Sequence, residues 1–317
     1  MWFDKLLDRK APGLRGLLLV VVLALMGAVL VVQGAQHWRA GERSAERSRL
    51  LQQTADTLQA QTTGGSMLGA VSLMGLSEPL LKDMALGRLP PDHPEALSRL
   101  AVARGRFLVQ GVYVMSADGT VVAHETPGER STGLNLAFRP YFQQAIQGAT
   151  SVYAAIGSNT QERGLYYAAP LYESDTPSSN IIGVVMFKVG FEPVDLLLKR
   201  AGLPMVLLSP QGVAFAATRP EWQFAVAPPL TQARIDAIRA TRQFGRHFDN
   251  GVASALPFAA DAGEVQINGV PHAVERRAID WHDPTGEWQL VALDDISALM
   301  TSSQRARIGA VAFVLFC

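Results

Sequence analysis

One uninterrupted stretch limits this chain more than any other. Residues 16–37 read GLLLVVVLALMGAVLVVQGAQH without a formal charge, and at about 1.5 Å per residue a helix of that length crosses a hydrocarbon core of about 30 Å. The stretch is expected to be a transmembrane helix. Lys5, Arg9, Lys10 and Arg15 precede it, and because basic residues stay on the cytoplasmic side, residues 1–15 are expected in the cytoplasm with the rest outside. A cleaved leader would have a shorter apolar region ending at a small-residue site, and Gln33-Gly34-Ala35 is a poor one. After Arg305 and Arg307 the chain turns apolar again as IGAVAFVLFC. That is too short to span a bilayer, so residues 299–317 are expected to be a linker and the start of a second transmembrane helix, leading to a cytoplasmic output region.

Charge and cysteine exclude several classes. The 28 basic residues balance 28 acidic ones, whereas a nucleic-acid binder carries a concentrated basic surplus. The single cysteine, Cys317, is the last residue, so no internal disulfide forms and the folded region has no thiol nucleophile or cysteine metal cluster. The outer histidines 93, 124, 247, 272 and 282 lack metal-ligand spacing, and there is neither HExxH nor a P-loop. Gly64-Gly65-Ser66-Met67-Leu68-Gly69 has the wrong spacing for a nucleophile elbow. No catalytic site and no cofactor are expected in this chain.

Residues 38–64 are charged and helix-favouring, with Leu51, Ala55 and Leu58 on one face, and read as a stalk helix continuing out of the membrane. A second helical stretch is expected to run to about Leu86, with Leu89-Pro90-Pro91 closing the helical part. Beyond Leu108 short β-rich runs take over. VQGVYVMSADGTVVAHE reads as a hairpin turning at Asp118-Gly119. MVLLSPQGVAFA repeats its shape downstream: Ser116, Gly119 and Ala123 match Ser209, Gly212 and Ala216 at one constant offset, and each hairpin is followed by a strand opening with glycine, at Gly183 and Gly286. Two tandem α+β modules are therefore expected, residues 65–198 farther from the membrane and 199–298 nearer to it. Trp222, Trp281 and Trp288 of the second read as core.

The chemistry concentrates in the first module. In NLAFRPYFQQAIQG, residues 135–148, Pro140 suits the first turn of a short helix and Gly148 its end. Arg139 before that helix offers a planar fork to a carboxylate, with the phenol of Tyr141 beside it. Lys188 lies in the otherwise apolar strand IIGVVMFKV with no acid beside it, so it either reaches solvent at the strand end or faces something negative. Tyr166 and Tyr167, on opposite faces of the strand between, each could line the same cleft or pack in a core. Thr160, in the loop 157–164, is a further candidate hydroxyl contact. An anion pocket accounts for these residues together.

The order of transmembrane helix, stalk, DG hairpin, GLNLAFRPYFQQAIQG, Tyr-rich strand and GVVMFKV resembles the double Cache (tandem PAS-like) sensor domains of bacterial receptors, and is similar to the extracytoplasmic region of four-carbon dicarboxylate sensor histidine kinases. The resemblance covers most of residues 36–305. It implies an α+β fold of two PAS-like modules and an inner-membrane signalling protein with a periplasmic sensor; two protomers are expected to pair through their stalks as a homodimer. It also implies a small carboxylate ligand held by Arg139, Tyr141, Tyr166 or Tyr167, and Lys188, with Thr160 as a possible hydroxyl contact. Glu162 and Arg163 in the loop depart from the family pattern, which leaves the exact ligand open. The same architecture is mounted on chemotaxis receptors and nucleotide cyclases, and a partner-binding ectodomain without a small ligand is the other reading.

Overall fold

The computed structural model describes residues 12–128, 130–283, 285–297 and 302–316; Lys5, Arg9, Lys10 and Cys317 lie outside them. Helix α1, Pro12–Gln61, runs for 50 residues, about 75 Å at the helical rise. Its first half is long and apolar enough to cross a membrane, and leucines 17, 18, 19, 23, 25 and 30 are exposed. Its second half is amphipathic as the sequence predicts, with Leu51, Ala55 and Leu58 buried. Helix α8, Ser302–Phe316, packs back along α1: Arg39 donates to Gln304, Gly309 approaches Val32, and Gly27 faces the Phe316 ring. The two therefore run antiparallel, with small residues Ala24, Ala28 and Ala312 buried where they meet.

Beyond a turn at residues 62–65 come helices α2 (Ser66–Ser77), α3 (Pro79–Ala85) and α4 (Pro94–Phe107). The helical part thus does not close at Pro90-Pro91. Pro94 restarts it, because at the first helical position its fixed φ helps and its missing N–H is not needed. Strands β1 (Gly111–Ser116) and β2 (Val121–Glu125) form the first hairpin. Helix α5 (Pro140–Ala145) and strands β3 (Ser151–Ile156), β4 (Arg163–Tyr172) and β5 (Ile181–Gly190) follow. Helix α6 (Glu192–Arg200) leads into β6 (Met205–Leu208), β7 (Ala214–Ala217), α7 (Gln232–Ala240), β8 (Glu264–Ile267), β9 (Val270–Ile279) and β10 (Trp288–Asp295).

These strands make two five-stranded antiparallel sheets, ordered β2-β1-β5-β4-β3 and β7-β6-β10-β9-β8. The second order is the first repeated, and the repeat reaches the hairpin turns. Gly119 and Gly212 hold positive φ of 86° and 80°, a conformation glycine adopts without Cβ cost. The ladder slips between Val114 and Met115 in one hairpin and between Leu207 and Leu208, the corresponding pair, in the other.

In the first sheet, side chains alternate between two cores. Val112, Val114, Tyr167 and Phe187 face the helical side, while Tyr113, Tyr153, Tyr166 and Met186 face α5. The second sheet packs one face against α1, whose side chains meet β9 and the segment after it in chain order. Arg47 pairs with Glu275 and Asp294 at 3.3 and 3.4 Å, Asp280 donates its N–H to Gln59 at 3.0 Å, and the Trp281 indole donates to Thr62 at 2.9 Å. Trp222, Trp281 and Trp288 are buried, as expected.

Candidate functional site

Antiparallel pairing sets the floor of the site. Lys188 on β5 lies directly between Tyr166 on β4 and Gly111 on β1, and Tyr153 on β3 extends the same row beyond Tyr166. All face the α5 side, and two positions along, Met186 opposes Tyr113. Above this row sits a cavity of about 40 Å³, space for two or three water-sized spheres.

Arg139 closes one end. It is the residue before Pro140, so its backbone is extended and its side chain leaves the helix start rather than joining the helical face. The residue is 3% exposed, and its guanidinium donates to the carbonyls of Ile156 and Arg242, both at 3.1 Å, and to the Ser158 hydroxyl at 2.7 Å. Its hydrogen-bond acceptors are neutral, and among the described residues it makes no ion pair.

Lys188 enters from the sheet. Its ammonium donates to Thr160 at 2.9 Å, and the nearest carboxylate is that of Glu162, 3.7 Å away with its side chain 66% exposed. Burial pulls the Lys188 ammonium below the usual lysine range, and Glu162 opposes the shift only in part. The loop carrying Thr160 and Glu162 is pinned by Gly157, whose N–H donates to the Glu162 carbonyl at 2.9 Å. A Cβ on Gly157 would lie 2.5 Å from the Thr160 hydroxyl, 3.1 Å from the Tyr166 hydroxyl and 3.6 Å from the Lys188 ammonium. The absent side chain is part of the space.

Three phenols complete the cavity. Tyr141 and Tyr166 stack with centroids 5.4 Å apart and planes at 4°. Burial pushes Tyr141 up to about 12 despite the neighbouring Arg139 and pushes Tyr166 up further, so both stay neutral donors. The Tyr166 hydroxyl is buried and has no hydrogen-bond partner among the described residues. Tyr113, also raised by burial, stands with Thr126 and Ser131 beside its hydroxyl.

Five of the six residues singled out in the sequence thus come together: Arg139, Tyr141, Thr160, Tyr166 and Lys188 all line the cavity. Tyr167 does not. It follows Tyr166 in the strand, points to the opposite face and packs in the helical-side core. The sequence reading missed Tyr113, Ser131 and Ser158. Tyr113 carried the same signal as Lys188, a polar atom in an otherwise apolar strand.

The charge balance follows from this inventory. The cavity offers two buried cations and several neutral donors, and no Asp or Glu is among its described lining residues. Such a set stabilises an anion whose oxygens accept from several donors at once. In the second module the corresponding face is closed. Leu293 pairs with Pro204 as Lys188 pairs with Gly111, Val206 stands for Tyr113, and Trp222 and Phe258 fill the space with hydrocarbon.

No protein-family model matches the chain. It is 29% identical over 182 residues to the C4-dicarboxylate transport sensor protein DctB of Pseudomonas aeruginosa, covering 57% of this chain and 27% of that protein. It is 27% identical over 136 residues to the protein of the same name from Rhizobium meliloti, covering 42% and 21%. The chain therefore spans about a quarter of the length of these curated relatives. Among solved structures, the sensor domain of the Vibrio cholerae histidine kinase DctB superposes with a TM-score of 0.63 at 20% identity, covering 80% of this chain and 96% of that one. The ligand-binding domain of the Pseudomonas fluorescens chemoreceptor CtaA in complex with L-leucine gives 0.54 at 16%, covering 80% and 95%, and that of Campylobacter jejuni Tlp3 with L-valine 0.53 at 13%, covering 86% and 98%. The chain is homologous to the DctB sensor proteins over the matched span, and its fold is the tandem PAS-like arrangement of these sensor domains.

Proposed function

We propose that this chain is the sensor region of a bacterial inner-membrane receptor, with its modules in the periplasm and a histidine kinase as its cytoplasmic output. In this reading the module at residues 65–198 stands farther from the membrane and binds a small amine-free carboxylate, a four-carbon dicarboxylate being the best fit. Arg139 and Lys188 supply charge, and Tyr141, Tyr166 and Thr160 supply neutral donors. The observation that carries it is two buried cations facing one cavity without an acid in its wall, beside an orphaned phenol. A guest carboxylate gives both cations the counter-charge that burial otherwise makes costly.

The amino-acid complexes of chemoreceptors with the same fold favour a second reading, an amino-acid ligand. An ammonium group is best met by a carboxylate, however, and the described lining holds two cations and no Asp or Glu.

The test is a thermal melt of the full chain in detergent with succinate, L-leucine or L-valine. At 100 times its dissociation constant a guest stabilises by about 2.7 kcal/mol. Succinate is expected to raise the melting temperature and the amino acids to leave it unchanged; the reverse pattern overturns the carboxylate reading. Two copies are expected to pair along their stalks, so single cysteines at positions 43–61 should crosslink in membranes. A set that yields only monomer removes the dimer.

A further inference from the structure

The Ser131–Leu136 wall of the cavity depends on a histidine outside it. His124, on β2, is largely buried, and its ring stacks on Tyr113 at 5.9 Å between centroids and 24° between planes. The backbone N–H of Ser131, a cavity-wall residue, points at His124 Nε2 at 3.1 Å. A backbone N–H can only donate, so Nε2 must be the unprotonated, accepting nitrogen. On the other side, the Thr132 hydroxyl lies 2.7 and 2.8 Å from the two Asp92 carboxylate oxygens and donates to them. Its oxygen then accepts from His124 Nδ1 at 3.0 Å. Both ring nitrogens are accounted for by one species, the neutral Nδ1–H tautomer.

From Ser131 the chain runs back along β2 into the cavity wall. Gly133 donates to Val121 at 2.9 Å, Val121 donates to Leu134 at 2.8 Å, and Leu136 donates to Gly119 at 2.8 Å. Leu134 and Leu136 line the cavity with Ser131. The imidazole therefore anchors the start of that wall, while its ring supports the phenol of Tyr113.

We propose that neutral His124 is a positioning residue that pins the Ser131–Leu136 wall over the cavity, and that its protonation in acid releases the wall and weakens binding of the guest. A proton on Nε2 turns an acceptor into a donor facing the Ser131 N–H, so the hydrogen bond becomes a donor–donor collision. The proposal rests on the carboxylate reading of the cavity only for its binding readout.

The charges around the ring set the direction. Asp92, from the segment before α4, and Glu125, next to it on β2, favour the imidazolium, while Arg130 disfavours it. Arg104 of α4 is engaged by Glu125 at 3.3 Å, and Tyr113 contributes a neutral ring. Burial outweighs the acids and holds the ring below the usual histidine range. A released ring regains its ordinary value near 6.5. Above that pH both states are neutral and the wall is fully stable; as the pH falls below it, the released state takes up a proton and the pinned state resists.

The experiment measures succinate affinity for the full chain in nanodiscs from pH 7.5 to 5.5, for the wild type and His124→Gln. Glutamine can accept from Ser131 and donate to Thr132 without titrating. Binding at pH 7.5 is expected to be similar in the two, and wild-type affinity to fall below pH 6.5 by up to about tenfold per pH unit relative to the variant. Titration of succinate itself and of every other group is common to both and cancels. Parallel profiles overturn the proposal. Selective nitrogen labelling of the histidines gives a second readout that needs no ligand: a neutral Nδ1–H ring at pH 7 with depressed titration supports it, and an Nε2–H tautomer or an imidazolium at pH 7 overturns it. Absence of succinate binding at pH 7.5 would sink the carboxylate reading instead, leaving the ring signal to decide the switch.

Discussion

Replacing Lys188 by methionine is expected to leave the chain folded, raise its melting temperature and abolish detectable succinate binding. The two effects share one cause. The ammonium is desolvated, and its partners are the neutral Thr160 hydroxyl and a largely exposed carboxylate 3.7 Å away. Replacing a poorly paired buried charge by an apolar side chain of similar length removes its desolvation cost, and Glu162, already largely exposed, is left to water. A buried charge pair with the guest is lost at the same time, which costs binding about 2–5 kcal/mol, thirtyfold or more at about 1.4 kcal/mol per decade. Differential scanning calorimetry and titration calorimetry on one preparation read both quantities. A variant that melts lower yet still binds would remove Lys188 from the site.

Arg139→Ala is expected to lose binding as completely but to move stability the other way. Its guanidinium satisfies the Ile156 carbonyl, the Arg242 carbonyl and the Ser158 hydroxyl, and each buried acceptor left alone costs about 1–3 kcal/mol. One of those bonds crosses to the segment after α7, where Gln243 accepts from the Ile156 N–H and donates to the Ala154 carbonyl, both at 2.8 Å. The variant should therefore melt lower and show faster amide exchange at Ile156. Arg139→Lys is expected to recover little, because one ammonium cannot reproduce a planar fork holding three partners. A melt of Arg139→Ala that coincides with the wild type would show that the bridge contributes nothing.

What could be read in advance follows from how far each signal is local. Lys188 stood out because a charge inside an apolar strand demands a reason. Arg139 stood out because a proline after it fixed where a helix begins. Tyr166 and Tyr167 could not be separated: both faces of β4 are buried, so alternation of apolar and polar residues carries no facing information there. Proline misled at Pro90-Pro91, where the run of helices was expected to stop, since the same residue type that ends helices also starts them, as Pro94 does. The contribution of Arg242 was out of reach, because the partner it offers Arg139 lies 103 positions away in another module. His124 was seen only as a histidine without metal-ligand spacing. Its importance comes from a backbone N–H seven positions on, a geometry that no residue pattern records.

The duplicated sheet, hollow in one copy and solid in the other, has a mechanical corollary. Interiors packed to crystal density compress very little. A nudge delivered at Gln243 reaches its neighbour Phe244, whose ring meets Phe215, which meets Trp288, which meets Trp281, and the Asp280–Trp281 corner grips the end of the long helix. The filled twin serves as a stiff push-rod.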